Sequence, residues 1–368
     1  MRVTIVGAGV VGLMLAKDLA SLGADVQVYD GKSSVEDGAE KASGILSKSG
    51  LAHMGVDYRN AIVNELDGAV LHAGREKLRI KSKATQAYVL DRAALASICK
   101  SEAEKAGAKV RLGSRMERQE LKELAADGDN IVVGADGAVS TVASAFGFPP
   151  IGEYVLTYKA EYEEAEAEDS HSVDLFFATG HSHRFFGWIA PYSSYELELG
   201  IGTSDRGKRS SSDAFHSFTK DKEVSAMIGE AKMVAGHASI IPLEARRMTV
   251  RGNVLLVGDA AGQVKATTGG GIIFGASCAK IAAGVIMRHA ERGVPLSTYE
   301  SEWRKAYGAD LKLHRALHNY YSNMGPGSFE ALIKVSRLFG AEAFLSKYGD
   351  MDSPTKMLKR FLLRGLAK

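Results

Sequence analysis

The sequence is poor in cysteine: Cys99 and Cys278 are the only two among 368 residues. Two thiols this far apart make neither a disulfide scaffold nor a cysteine-rich metal site, and they fit a reducing cytosol. No charge of one sign prevails, since 46 Lys and Arg face 44 Asp and Glu for a net +2. A chain so balanced has no global nucleic-acid footprint, and an anionic partner must be met locally. No run of about 18 apolar residues occurs, so no membrane span is expected. The longest mostly apolar stretch, Gly269 to Ile286, is broken by Gly, Ser, Cys and Lys280. The charged, apolar and small-residue order of a secretory leader is missing too; Met1-Arg2 leads straight into Val3-Thr4-Ile5-Val6. Proline is low at 7 residues and glycine high at 40. Excess glycine points to places where backbone must come close to something, such as a phosphate. Charged residues at 24% and the hydrophobic set at 45% are ordinary values for a folded protein. The length allows two or three domains, or one large interrupted one.

Five short apolar runs read as buried parallel strands: Val3–Val6, Val26–Tyr29, Lys109–Leu112, Ile131–Val133 and Val254–Val257. Helical patterns follow or separate them: Leu15, Leu19 and Leu22 after Gly12; Leu95, Ile98 and Ala106 after Asp91; and the stretch Ile272 to Ile286. This alternation predicts βαβ units with right-handed crossovers. Leu51 to Ala87 and Ile151 to Ile241 break the rhythm. They hold strand-like runs, Ala69–His72, Lys77–Ile80, Val155–Tyr162, Val173–Phe177, Phe185–Ile189 and Tyr195–Gly200, spaced for an antiparallel sheet. The expected α/β architecture is a Rossmann-like nucleotide domain (1–50, 88–150 and 242–296). A mostly antiparallel β domain for substrate (51–87 and 151–241) is inserted into it, and a helical C-terminal region (297–368) follows. The acidic run Glu161 to Glu168 reads as a solvated loop or strand edge.

Gly7-Ala8-Gly9-Val10-Val11-Gly12 follows a strand and opens a helix. Gly7 allows the tight turn, Gly9 leaves room for a pyrophosphate, and Gly12 lets helix and strand pack closely. The helix N-terminus offers free amides and a partial positive charge to phosphates. Asp30 ends the next strand about 20 residues on, where a carboxylate accepts from both ribose hydroxyls and repels a ribose phosphate. Later motifs separate FAD from NAD. Gly134-Ala135-Asp136-Gly137 follows a strand. Gly258-Asp259-Ala260-Ala261-Gly262 follows another and precedes the glycine-rich helix start Thr267-Thr268-Gly269-Gly270-Gly271. Asp91-Arg92 heads a helix between the insertions. Alone, Asp136 and Asp259 are equally well helix caps or turn residues. A carboxylate at Asp259 suits ribityl hydroxyls. A helix starting near Gly271 and Ile272 aims its positive end at the flavin pyrimidine edge, with Gly269 to Gly271 leaving room for a flat ring.

In this order the motifs resemble the flavoprotein group that contains aromatic hydroxylases and geranylgeranyl reductases. Phe185-Phe186-Gly187-Trp188-Ile189-Ala190-Pro191 narrows the likeness. It resembles the Tyr-x-Trp-x-Phe-Pro element of geranylgeranyl reductases, with Phe186 in the Tyr place and Ala190 in the Phe place. Flavin-dependent halogenases carry a similar element. The resemblance implies FAD, with Arg92 near its pyrophosphate, able to pair with phosphate oxygens. Lys41-Ala42-Ser43-Gly44 lies where such reductases often carry Cys-Gly near the flavin, so Ser43 stands in the cysteine place. Phe186, Trp188 and Pro191 would line an apolar slot, because residues two apart share a strand face.

The resemblance implies a reductase of C=C bonds in geranylgeranyl chains of archaeal-type membrane lipids. An FAD-dependent aromatic hydroxylase and an electron-transfer flavoprotein stay open as alternatives. Ser43 and Tyr192 are candidate proton donors that the sequence does not rank. The electron donor is left open among a ferredoxin-like protein, a pyridine nucleotide and a deazaflavin. Lys356, Lys359, Arg360, Arg364 and Lys368 alternate with Met357, Leu358, Phe361, Leu362 and Leu366, with no acid after Asp352. Such a helix suits either packing on the domain or an anionic membrane surface. The expected location is therefore cytoplasmic, with peripheral contact on the inner membrane face. His181-Ser182-His183 has no third ligand and reads as a loop, so no metal is expected. Cys99 and Cys278 read as core residues. Lys265 either stabilises reduced-flavin charge or faces solvent.

Overall fold

The computed structural model describes residues 1–165, 167–204 and 209–366. Glu166 of the acidic run and Lys368 of the basic tail lie outside the described residues. A six-stranded sheet runs in the order Val250–Arg251, Val254–Leu256, Asn130–Gly134, Arg2–Val6, Asp25–Tyr29, Lys109–Arg111. All five strands read from apolar runs are in it, and they pair in parallel. The sixth, Val250–Arg251, is an antiparallel edge strand too short to show a pattern. Val6 lies level with both Tyr29 and Gly134. The three strands therefore deliver Gly7, Asp30 and Ala135 side by side at their carboxyl ends, where open α/β sheets hold ligands.

Leu13, Leu15 and Leu19 of the helix Val10–Ser21 pack with Val3, Ile5, Leu95 and Ala279 in one core. Leu121, Val142 and Phe148 make a second core around Val132 and Leu256. Alternate residues of the central strand thus point to opposite faces of the sheet and are covered on both. The helix Ile272–Arg292 is long and apolar enough to cross a membrane by composition. Its Phe274, Cys278, Ala282 and Ile286 are nevertheless buried in the first core.

A seven-stranded sheet runs Lys232–Pro242, Tyr154–Glu163, Glu196–Thr203, Phe186–Pro191, Ser172–Phe177, Gly68–Ala73, Glu76–Lys81. Its pairs are antiparallel except Ser172–Phe177 with Gly68–Ala73, which is parallel. Leu197, Leu199 and Ile201 face Phe215 and Phe218 of the short helices Ser211–Phe218 and Lys222–Ile228. Glu198, Gly200 and Gly202 alternate onto the other face. Any Cβ on Gly200 would strike the Trp188 indole, and one on Gly202 would strike Phe185. The two glycines let large aromatics lie flat on the sheet.

Three features depart from the sequence expectations. Lys232–Pro242 is an 11-residue strand that its Ala, Gly and Ser content conceals, and it lies on a sheet edge. Two helices lie inside the insert. Ile62–Leu66 joins Ile45–Ser47 and Ala87–Leu90 in a separate three-stranded sheet, which brings Ser43 and Gly44 next to Arg92. After Ser297 the chain is helical: Thr298–Ser322, Pro326–Leu338, Ala341–Tyr348 and Pro354–Leu366.

Candidate functional site

The glycine-rich turn separates backbone necessity from ligand space. Gly7 has φ +110°, and a Cβ there would strike the Ala135 carbonyl. A Cβ on Gly12 would strike the Gly7 carbonyl. A Cβ on Gly9 would meet nothing within 4 Å, so the space before this residue is open. Gly9 is the N-cap of the helix Val10–Ser21, which has no side-chain cap and no acid in its first turn. Its leading amides therefore remain available to an anion. Asp30 accepts from the Ala8 amide at 2.7 Å and the Lys32 amide at 2.9 Å, which locks its carboxylate beside the turn. Gly9→Val is expected to fold normally yet lose flavin. Overfilling a packed contact costs about 3 kcal/mol, roughly a hundredfold in affinity. Fluorescence titration with FAD, beside melting curves of the flavin-free protein, checks this.

The second cluster lies where the 254–256 strand ends. Burial pushes the Asp259 carboxyl above its usual range, and Arg92 opposes the shift. Burial likewise lowers the Arg92 guanidinium, against the pull of Tyr192 and Asp259. Among the described residues Arg92 Nε is buried without a partner, and so is the Ser43 hydroxyl. The Arg92 Nη1 reaches the Ser43 carbonyl at a long 3.5 Å. Asp91 caps the Arg92 helix through the Ala93 and Ala94 amides, which fixes where the guanidinium starts. Gly271 is the N-cap of the helix Ile272–Arg292, again without a side-chain cap. The Asp259 Oδ1 lies 2.6 Å from where a Gly271 Cβ would stand.

Orphaned donors, an enclosed carboxylate and two uncapped helix starts are what a dinucleotide with phosphates, a hydroxylated chain and an imide edge would satisfy. The residues present fit FAD. Gly44 has a further reason to be glycine, because a Cβ there would strike the Leu90 carbonyl. Asp136 is engaged in its own turn. It accepts from the Ser140 hydroxyl at 2.6 Å and the Val142 amide at 3.0 Å, which is the helix-cap use.

Phe186 and Trp188 share a sheet face with ring centroids 6.1 Å apart. Phe185 stacks on Phe186 at 4.4 Å and comes within 3.6 Å of a Gly269 Cβ position. The aromatic face thus abuts the Gly269–Gly271 loop. Phe177, which the sequence did not single out, extends the row. It lies 5.3 Å from Phe186 and stacks on Phe329 at 4.9 Å. Tyr321 closes against Phe177 at 5.4 Å, and its hydroxyl donates to the Thr267 carbonyl at 3.0 Å.

Comparison with known proteins agrees with this geometry. The FAD binding domain profile matches residues 1–307. The chain belongs to the FAD-binding domain family. The flavoprotein is 28% identical to digeranylgeranylglycerophospholipid reductase 2 of Methanopyrus kandleri, over 90% of this chain and 89% of that one. It is 27% identical to the digeranylgeranylglycerophospholipid reductase of Methanothrix thermoacetophila, over 90% of each chain. A geranylgeranyl bacteriochlorophyll reductase-like protein of Thermoplasma acidophilum shares the fold. Its TM-score is 0.80 at 18% identity, covering 97% of this chain and 94% of that one. A flavin-dependent brominase shares it at TM-score 0.72 and 13% identity, over the whole of both chains.

Two buried polar clusters in the flavoprotein escaped sequence reading. Glu198 is 0% exposed and Lys159 2%. Glu198 accepts from Lys159 Nζ at 2.8 Å, Trp188 Nε1 at 2.8 Å and the Tyr192 hydroxyl at 3.2 Å. Lys159 also reaches Glu161 at 3.2 Å, a side chain 40% exposed. The pattern gave no signal: Glu196-Leu197-Glu198-Leu199 alternates like a strand with one solvated face, and only the fold shows that Glu196 is exposed while Glu198 is buried.

The second cluster holds the loop that leads to Gly269–Gly271. Lys265 is buried, not solvent-facing, and its Nζ donates to Asp352 Oδ1 at 2.6 Å. Asp352 also accepts from the Ser47 hydroxyl. His314 Nδ1 lies 2.7 Å from the Thr267 hydroxyl, and its Nε2 faces the Asp352 carbonyl. Burial and the Lys265 charge hold the His314 imidazole at a pKa of about 4. The unfolded chain, with an ordinary histidine, therefore takes up a proton first. Stability attributable to His314 is complete above about pH 6.5 and falls by about 1.4 kcal/mol per unit as pH drops toward 4. His314→Gln should remove that part of the slope in urea melts at pH 7 and 5.

His181 bonds the Ser217 hydroxyl at 2.9 Å, and no metal-type cluster occurs among the described residues. Cys99 and Cys278 are both buried core residues. Burial pushes the Cys99 thiol up to about 12.

Proposed function

We propose that this flavoprotein is an FAD-dependent reductase that hydrogenates C=C bonds of geranylgeranyl chains, as in archaeal-type membrane lipids. The observation that carries this reading is the row Trp188, Phe186, Phe177 and Phe329 running from the flavin loop. A long hydrocarbon has no polar group to grip, so flat aromatic surfaces must position it and exclude water. The reductase names of relatives that match this chain over 90% of its length support the same substrate class.

Reduced FAD supplies the hydride when bound. Gly9 and the 10–21 helix amides would hold its pyrophosphate, with Arg92 as cationic partner and Asp30 at the adenosine ribose. Asp259 would accept from the ribityl chain, and the amides past Gly271 would face the pyrimidine edge. Ser43 and Gly44 would border the ring. Phe186, Trp188 and Pro191 would line the hydrocarbon slot.

The second hydrogen arrives as a proton. Of the two candidates, the Ser43 hydroxyl has no partner among the described residues to resupply it. Tyr192 is connected through Glu198 and Lys159 to the half-exposed Glu161. Burial and the Glu198 charge raise the Tyr192 phenol, which keeps it protonated and makes it a weaker acid, so the proton relay behind it, not its acidity, favours it. We assign Tyr192 as the donor. Its O–H bond breaks as the new C–H bond forms, and the Lys159–Glu198 pair returns a proton to the phenolate.

The test is direct. The purified holoprotein is reduced with dithionite and mixed with unsaturated isoprenoid lipid, and the lipid is examined by mass spectrometry. Gain of hydrogen pairs is the expected result. No gain, with oxygen added to a phenol instead, would assign the flavoprotein to the hydroxylases.

A further inference from the structure

Large exposed apolar side chains are unevenly spread over this protein. Among the described residues eighteen are exposed, and ten of these fall between Leu317 and Leu363. Two groups stand out. Val335, Leu338 and Phe339 close the helix Pro326–Leu338, and the last two are each 84% exposed. Leu358, Phe361, Leu362 and Leu363 lie on the helix Pro354–Leu366. Phe344 links the groups. It stands five residues after Phe339 in sequence and packs edge-on against Phe361 at 5.5 Å. Apolar surface left in water on this scale marks a contact site rather than chance exposure.

The charge beside it says what the contact is. Lys356, Lys359 and Arg360 are exposed on the same helix, which contains no acid. None of the three has a carboxylate partner among the described residues, whereas Lys334 and Arg337 nearby are engaged with Glu76. Leu358, Phe361 and Leu362 recur at the spacing of one helix face. A second copy of the chain meeting this helix across a two-fold axis would set cations against cations with no acid to answer them. A bilayer with anionic headgroups answers both features, taking the apolar side chains among its acyl chains and the cations at its phosphates.

We propose that the end of the chain, from Val335 to Leu363, docks on an anionic lipid bilayer. The docked segment is fastened to the flavin loop twice. Asp352, two residues before the 354–366 helix, is ion-paired to Lys265. Tyr321, ahead of the 326–338 helix, is bonded to Thr267. Docking therefore ties the bilayer contact to the loop that the aromatic row abuts. The inference names a partner surface and stands apart from the chemistry, so it can hold even where the assigned reaction fails.

Flotation of the FAD-loaded full chain with vesicles tests it. Vesicles of phosphatidylcholine with phosphatidylglycerol are expected to carry the protein up, and phosphatidylcholine alone to carry little. Each cation near such a surface contributes about a fivefold factor, so Lys356→Gln with Lys359→Gln and Arg360→Gln should weaken binding roughly a hundredfold. Phe361→Ser with Leu362→Ser should weaken it on both vesicle types. The flavin absorbance and thermal midpoint serve as the folding readout: the charge variant is expected to leave both unchanged, and the Phe361 and Leu362 variant, which removes a packing partner of Phe344, to leave the flavin absorbance unchanged. Flotation that neither set of substitutions alters would overturn the proposal. So would a dimer in sedimentation velocity that the Phe361 and Leu362 changes dissociate.

Discussion

Asp352→Ala is expected to destabilise the protein by about 3–5 kcal/mol, because it leaves a buried ammonium at Lys265 with no counter-charge. The pair is enclosed, with side chains 7% and 12% exposed. Asp352 also holds the Ser47 hydroxyl. Its loss therefore frees two elements, the loop before Gly269 and the start of the short helix Lys48–Leu51. Urea melts of the flavin-free chain measure the direct cost, and FAD titration measures how far the loop depends on it. The paired change Lys265→Met with Asp352→Leu discriminates cause. A buried ion pair replaced by apolar residues of similar volume is often close to neutral. The double variant should thus recover most of the stability. If Asp352→Ala costs no more than a surface substitution, the C-terminal segment does not clamp the loop before Gly269.

Tyr192→Phe carries the other large effect. Removing a positioned proton donor typically costs about a hundred- to ten-thousandfold in rate. The variant keeps the ring that packs on Ile45, Val89 and Leu66, so folding and lipid affinity should be retained. Flavin absorbance, lipid binding and kcat are measured together. The expected result is a fall in kcat at unchanged binding, with an altered solvent isotope effect on kcat because another group then delivers the proton. Equal kcat and an equal solvent isotope effect in both proteins would remove Tyr192 from the proton path. Ser43→Ala then becomes the informative variant, with no change expected under the present assignment.

The glycine-rich half of the candidate site was legible in the chain because its determinants are local. Gly7, Gly9 and Gly12 act through a single turn, and Asp30 ends the next strand. Asp91 caps the helix that carries Arg92. Asp136 shows the limit of that legibility. Its motif places it at the right strand end, but only the folded turn shows both carboxylate oxygens spent on Ser140 and Val142. The strand Lys232–Pro242 was missed for a related reason. An edge strand rich in small residues owes its conformation to pairing with Tyr154–Glu163, not to its own pattern.

By itself the sequence determined the α/β class, the FAD fingerprint and the aromatic pair Phe186 and Trp188, since each depends on short-range spacing that a strand or turn enforces. Only the tertiary structure decided which distant groups meet. Phe177 and Phe329 join the aromatic row from two separate elements. Lys159 and Glu198 become one buried pair through strand register. Lys265 and Asp352 meet across 87 positions of sequence. Contacts of this range form only once the hydrophobic faces of sheet and helix have been buried, and no local periodicity encodes which polar groups that burial brings within reach.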